Sequence, residues 1–198
     1  SFFPQHEMTT DGTSAETNFT TPATEWLDAR GAKYARERAD PQALVGRESL
    51  CACLARQLGA PVECTLKTLI FEDARAPDTP PVALVLPGTH TVDKARLAAA
   101  VGAPAGHTLR LCKPERAHEF TGYVFGGTSP FGLRRADAVR VFVDEAVRTT
   151  AARHTPHDVW INGGGPGLVA RMDVDELFRI LLADGTHVVA GVALPSDK

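Results

Sequence analysis

Apolar segments of strand length follow one another along this chain with turns between most of them, and that spacing restricts its fold more than anything else in it. Leu66 to Phe71 and Val82 to Leu86 read as two strands around a turn containing Asp73 to Pro81. Val139 to Val143, Val159 to Asn162 and Leu168 to Met172 read as three more, the last two joined by a glycine turn. Thr108 to Cys112 and a final Thr186 to Val192 complete the set. A regular parallel winding would place a helix between successive strands. Here strands outnumber helices and neighbours in sequence are mostly strands, so an α+β fold is expected: a single mixed-sheet domain with flanking helices.

The helices announce themselves by their ends. Thr21 as cap and Pro22 in the first turn open one that carries Trp26 and Leu27 inward and stops at Gly31. A second runs from about Arg47 to Leu58, with Leu50, Leu54 and Leu58 on one face and Gly59-Ala60-Pro61 beyond it. Asp93 to Val101 and Pro114 to Phe120 are short helices. The clearest begins at Asp173, with Glu176 at the capping-box spacing and Leu177, Ile180 and Leu181 as its apolar face. Lys33 to Arg38 is charged and reads as extended. Residues 1–20 are polar and lack an apolar period, so a flexible tail is expected there, with the domain proper over 21–198.

Composition narrows the function classes. The 198 residues carry 21 basic and 24 acidic side chains, a net charge of −3, which excludes a broadly basic surface but not a local basic strip. Two local clusters exist: Arg30, Lys33, Arg36 and Arg38, and Lys113, Arg116, Arg134, Arg135 and Arg140. Together they could track a phosphate backbone; separately each reads as a solvated face. No stretch approaches the length of a membrane span, and the polar start to Thr24 lacks the basic-then-apolar pattern of a leader. Cys51, Cys53, Cys64 and Cys112 are too few for a disulfide framework, and Cys51 and Cys53, one residue apart on a helix, point to different faces and chelate a metal poorly. Free thiols, a reducing cytoplasm, no metal and no cofactor are the expectations.

Three features stand out as chemistry. The loop Thr121-Gly122-Tyr123-Val124-Phe125-Gly126-Gly127-Thr128-Ser129-Pro130-Phe131-Gly132 combines glycines with a stiffening proline and could aim bare amides at a ligand oxygen; a tight structural turn is the alternative. Asn162-Gly163-Gly164-Gly165-Pro166-Gly167 follows a strand but lacks the lysine of a Walker loop and the helix of a dinucleotide fingerprint, so a plain hairpin turn competes with a ligand loop. Lys67 sits in an apolar strand, aligned with Leu69 and Phe71; it must snorkel, pair or line a pocket, unless it is an edge-strand lysine that discourages aggregation.

Leu66-Lys67-Thr68-Leu69 together with the Thr121 to Gly132 loop resembles the YbaK/EbsC family of aminoacyl-tRNA editing domains, related to the editing insertion of bacterial prolyl-tRNA synthetases. The matching pieces stand in family order over roughly residues 24–193. The resemblance implies hydrolysis of a mischarged aminoacyl ester at the tRNA 3′ end, by a free-standing trans-editing deacylase without metal. The amino acid would be small, such as Cys, Ala or Ser, with tRNA-Pro one candidate acceptor and a synthetase a candidate partner. Lys67 and Gly126 would match the catalytic positions. Thr68, Tyr123, Gly127, Thr128, Ser129, Pro130, Asn162 and Gly163 would contact substrate, with Gly126 to Pro130 forming the Gly-x-x-x-Pro backbone loop. Orientation and oxyanion stabilisation would supply much of the acceleration, the substrate's ribose hydroxyl helping. The chain departs from the family at Pro166, where an arginine is usual, at Val169, where an aspartate is usual, and at Ala39, where the deacylase branch carries an aromatic. The lost arginine and aspartate motivate the rival reading, a binding module on the same scaffold that holds an amino-acid or nucleotide-like ligand without hydrolysis.

Overall fold

The structure, a computed structural model, describes residues 18–196. Most of the expected tail lies outside the described residues. Of its last three residues, Phe19 is buried against Gly163, so packed chain begins before Thr21.

Helix α1 (Pro22–Ala29) opens on a reciprocal cap in which the Thr21 hydroxyl accepts from the Thr24 amide and the Thr24 hydroxyl from the Thr21 amide. Strand β1 (Ala35–Arg38) follows, then α2 (Leu50–Leu58), which starts three residues later than the leucine spacing suggests because Ser49 supplies the cap. After a 3-10 turn over Val62–Cys64 come β2 (Leu66–Asp73), β3 (Val82–Pro87), β4 (His90–Val92), α3 (Lys94–Val101), β5 (Leu109–Leu111) and α4 (Pro114–Thr121). The second half holds β6 (Arg140–Asp144), α5 (Ala146–Ala151), β7 (Asp158–Asn162), β8 (Leu168–Asp173), α6 (Val174–Ala183), β9 (His187–Val189) and β10 (Ala193–Pro195).

The main sheet runs in the order β5-β2-β3-β6-β9, antiparallel on the β5-β2-β3 side and parallel from β3 through β6 to β9. A second, antiparallel sheet runs β1-β8-β7, and β4 pairs with β10. The mixed α+β architecture is therefore as expected. Its larger core joins Leu27 of α1, Leu54 of α2, Leu66 and Ile70 of β2, Phe131, and Leu177, Phe178 and Ile180 of α6. A smaller one packs Leu97 and Val101 of α3 against Phe71, Leu84 and Phe142 of the main sheet.

Two local readings change. The expected strand Thr186 to Val192 is two short ones, β9 and β10, with Gly191 at φ +69 between them. The loop after β6 contains α5, oriented by Asp144: its buried carboxylate accepts from the Ala146 amide with one oxygen and from the Val192 and Ala193 amides with the other. That carboxylate ties the turn into α5 to the start of β10.

Candidate functional site

The site lies where the two sheets part. On its outer side β2 pairs with β5 only over Phe71–Asp73, and an isolated bridge joins Thr65 to Trp160 of β7. Between those contacts, residues 66–69 have no strand partner on that side. A cavity of about 450 Å³ fills the gap, within the range of small-ligand pockets. Its walls come from the start of α2 (Leu50, Cys51, Leu54), from residues 65–70, from Leu111 and Cys112 beside α4, from the loop after α4, and from Trp160, Ile161 and Val169 of the second sheet. The lining is mostly apolar, which suits a site that excludes water around a reacting group.

Lys67 reaches this wall half-buried, at the stretch of β2 that is unpaired on its outer side, and the cavity rather than open solvent covers it there. Its Nζ donates to the carbonyls of Gly88 (3.1 Å) and His90 (2.5 Å), bracing the turn between β3 and β4. Burial pushes its ammonium below the ordinary lysine value; the Cys51 sulfur beside it pulls the other way. Glycine is needed in this turn, since a side chain at Gly88 would run into the Thr65 carbonyl and meet Cys51 Sγ at 2.8 Å. Next along β2, Thr68 is buried and its hydroxyl has no hydrogen-bond partner among the described residues. A buried hydroxyl left unpaired in a cavity wall is a cost that a ligand can relieve.

The two glycine loops lie against each other. A Cβ at Gly127 would stand 2.9 Å from both Gly165 Cα and Pro166 Cδ, so glycine is what lets these backbones touch. Asn162 stitches them. Its Oδ1 accepts from the amides of Gly164 (2.8 Å) and Gly165 (3.1 Å), and its Nδ2 donates to the carbonyls of Gly126 (3.0 Å) and Gly165 (3.2 Å). Tyr123 is a second strut: its buried hydroxyl donates to the Phe131 carbonyl at 2.5 Å, and burial holds the phenol above its usual range.

Of the residues expected to form the site, Lys67, Thr68, Tyr123, Gly126, Thr128 and Asn162 line the cavity together. Gly127, Ser129, Pro130 and Gly163 do not. Gly127 is spent on the loop-to-loop contact, and Ser129 is fully buried with its hydroxyl toward the Phe131 amide. Pro130 lines a separate polar recess of about 190 Å³ with Trp26, Arg140 and Asp184. Gly163 faces away, giving its carbonyl to the Thr21 hydroxyl at 2.5 Å. Asn162 and Tyr123 have their polar atoms engaged inside the protein and act on the site by placing Gly126 and its loop.

Residues 49–180 match the family model of the aminoacyl-tRNA editing domain. The chain belongs to that family. No curated protein gives a significant match. Among solved structures, a hypothetical protein is 26% identical, with a TM-score of 0.67 over 88% of this chain and 100% of its own. A candidate trans-editing enzyme for prolyl tRNA synthetase is 22% identical, with a TM-score of 0.66 over 87% of this chain and 98% of its own. A candidate signal transduction protein from Marinobacter aquaeolei shares the fold at 11% identity and a TM-score of 0.57, over 89% of this chain and 31% of its own.

Measured as an editing domain, the cavity has a distinctive chemistry. No carboxylate and no imidazole stands among its lining residues. Its two thiols, Cys51 and Cys112, are pushed up by burial, Cys112 to about 12 with the nearby Glu72 carboxylate adding to the effect. Cys51 thus lines the cavity while Cys53 is buried behind it, on a different face of α2 as their spacing requires. Among the described residues no three His, Cys, Asp or Glu side chains converge as a metal site would need, and no helix is long and apolar enough to cross a membrane. Val169 is a buried cavity wall, Pro166 is exposed, and the Ala39 backbone packs under Gly167. Sequence reasoning passed over Cys51, Leu111, Phe125 and Trp160. Of these Phe125 carried a visible signal, an aromatic directly before the Gly126-Gly127 pair.

Proposed function

We propose that this editing domain deacylates mischarged aminoacyl-tRNA, removing a small amino acid such as Cys, Ala or Ser from the 3′ end. One observation carries the reading: Lys67, the unpaired hydroxyl of Thr68 and the Gly126 turn converge on one largely apolar cavity. An ammonium has three N–H donors, and two of those on Lys67 go to the Gly88 and His90 carbonyls. In this reading the third faces the ester, where it favours the negative charge that develops on the carbonyl oxygen during attack.

No carboxylate or imidazole stands on the wall among the described residues, and in this reading the substrate supplies the base. The ribose 2′-hydroxyl or the amino group of the aminoacyl ester orients the water, and the protein's part is placement and desolvation. The tRNA backbone would run along Lys113, Arg134 and Arg135, beside the cavity at α4. None of these three forms an ion pair with a carboxylate among the described residues, whereas Arg30, Arg36 and Arg116 of the other basic positions do.

The decisive experiment is deacylation of tRNAs bearing Cys, Ala, Ser and Pro by the wild type and by Lys67→Ala. Hydrolysis of one or two of these, lost in the variant, supports the reading and names the amino acid. Equal rates for both proteins overturn the role of Lys67. A flat panel with a folded wild type favours the rival, a module that binds without hydrolysing, which the apolar Val169 in place of the family's aspartate would suit.

A further inference from the structure

The loop that brings Gly126 to the cavity also carries the most exposed of the large apolar side chains among the described residues, Phe125, at 88%. Its exposure is built in. The Gly127 amide donates to the Val124 carbonyl at 3.0 Å, closing a four-residue turn with Phe125 second and Gly126 third. Gly126 has φ +78, the sign that the third position of a type II turn demands. Both flanks are pinned, by the Tyr123 hydroxyl on the Phe131 carbonyl and by Asn162 on the Gly126 carbonyl. Phe125 is thus held out from a fixed backbone while still lining the cavity, and the half-exposed Leu111 lines it too.

A ring held in that way has a use if the group leaving the cavity is flat and apolar on its faces. On the deacylase reading above, on which this inference rests, the acyl group lies between the buried walls and the next group outward is a ribose with its base. We propose that Phe125 is a stacking platform for the nucleobase of the nucleotide that bears the acyl group. The site then takes an aminoacyl nucleoside in preference to a bare amino-acid ester. Stacking suits this position because every base offers a face to an aromatic ring, and the backbone that carries this ring is already held by its turn.

The test uses wild type, Phe125→Ala and Phe125→Tyr with two pairs of probes. Steady-state hydrolysis is measured on 3′-O-alanyl-adenosine and on alanine ethyl ester, which has no base. The alanine variant should raise KM for the adenosine ester on the order of 5- to 100-fold more than for the ethyl ester, with kcat for the two changing in parallel, and tyrosine should restore it. Equal losses on the two substrates overturn the proposal. Binding is followed separately with a 2-aminopurine riboside carrying a 3′-amide-linked alanine, whose fluorescence is quenched on stacking. Quenching by wild type and Phe125→Tyr, lost in a folded Phe125→Ala, supports the platform; no quenching by wild type overturns it. If wild type quenches the probe yet hydrolyses none of the adenosine esters of alanine, cysteine and serine, the platform stands and the deacylase reading falls.

Discussion

Replacing Asn162 with alanine removes the stitch between the two glycine loops, and its size can be worked from the contacts. Four hydrogen bonds go, at 2.8 to 3.2 Å: the one to the Gly126 carbonyl crosses between the loops, and the other three, to the Gly164 and Gly165 amides and the Gly165 carbonyl, shape the second loop. Each neutral bond contributes about 0.5–1.5 kcal/mol net. The groups are only partly buried, so water re-pairs some of them and a loss of about 3 kcal/mol is expected. For a domain of this length that lowers Tm by roughly 6–12 °C. Freed from Asn162, the Gly126 carbonyl shifts with its turn. Displacement of a positioning element by about 1 Å can cost on the order of 100-fold in rate, so kcat falls steeply while KM moves less. The Asn162→Asp variant refines the argument. Its two oxygens can still accept from Gly164 and Gly165, but at neutral pH a carboxylate faces the Gly126 and Gly165 carbonyls where an N–H₂ donated before. Those carbonyls disfavour the charge and raise the folded-state pKa of the new aspartate above its unfolded value. A group raised in this way stabilises the fold below the unfolded pKa, and the gain is lost as pH rises through the folded one. Urea melts should therefore show Asn162→Asp recovering toward wild type as the pH is lowered to about 4, while Asn162→Ala shows no such recovery. Unfolding of Asn162→Ala within about 0.5 kcal/mol of wild type would refute the stitch.

Three further perturbations separate the site from the scaffold. Thr68→Val replaces an unpaired buried hydroxyl by a methyl, so thermal melts should show equal or higher stability, while KM for an aminoacyl ester rises several-fold; a loss above about 1 kcal/mol would mean the hydroxyl is paired after all. Gly127→Ala places a methyl against the Gly165 and Pro166 backbone and ring, so the loops must part; deacylation should fall by at least about 10-fold with far-UV circular dichroism unchanged. Glu176 caps the amide of Lys33 and pairs with Arg179 at 2.7 Å, and the Arg179 guanidinium holds its carboxyl down to about 2. A depressed carboxylate stabilises above its unfolded pKa and ceases to as pH falls through the folded one, so Glu176→Gln should cost about 1 kcal/mol at pH 7, screened by the exposed arginine, and nothing near pH 2.

What the sequence could disclose depended on whether a signal was local. The capped helices α1, α3 and α6 were legible because each carries its own start, as Thr21, Asp93 and Asp173 show. Lys67 was legible as an anomaly, a charge in an apolar strand, and the glycine loops by composition. What stayed hidden was set by partners remote in sequence. Helix α5 has no side-chain cap of its own, and Asp144 orients it only in company with Val192 and Ala193. That Asn162 would be a strut followed from its reach to Gly126, 36 residues away.

The same distinction sorts the glycine loops into those that bind and those that support. The resemblance put Gly126 at a catalytic position and Gly127 and Gly163 in contact with substrate. Packing separates them: Gly126 opens on the cavity, Gly127 is consumed by the facing loop, and Gly163 is turned toward Thr21 and Phe19. The second loop is thus the backing that holds the first in place, and Pro166, where the resemblance leads one to expect an arginine, is exposed and off the cavity wall. Val169 is different, since it stands on that wall itself. An apolar side chain there leaves the ammonium of Lys67 as the charged group lining the cavity among the described residues. On the deacylase reading, selectivity in such a site comes from the fit of the acyl group and from the few polar atoms left unpaired, the Thr68 hydroxyl foremost.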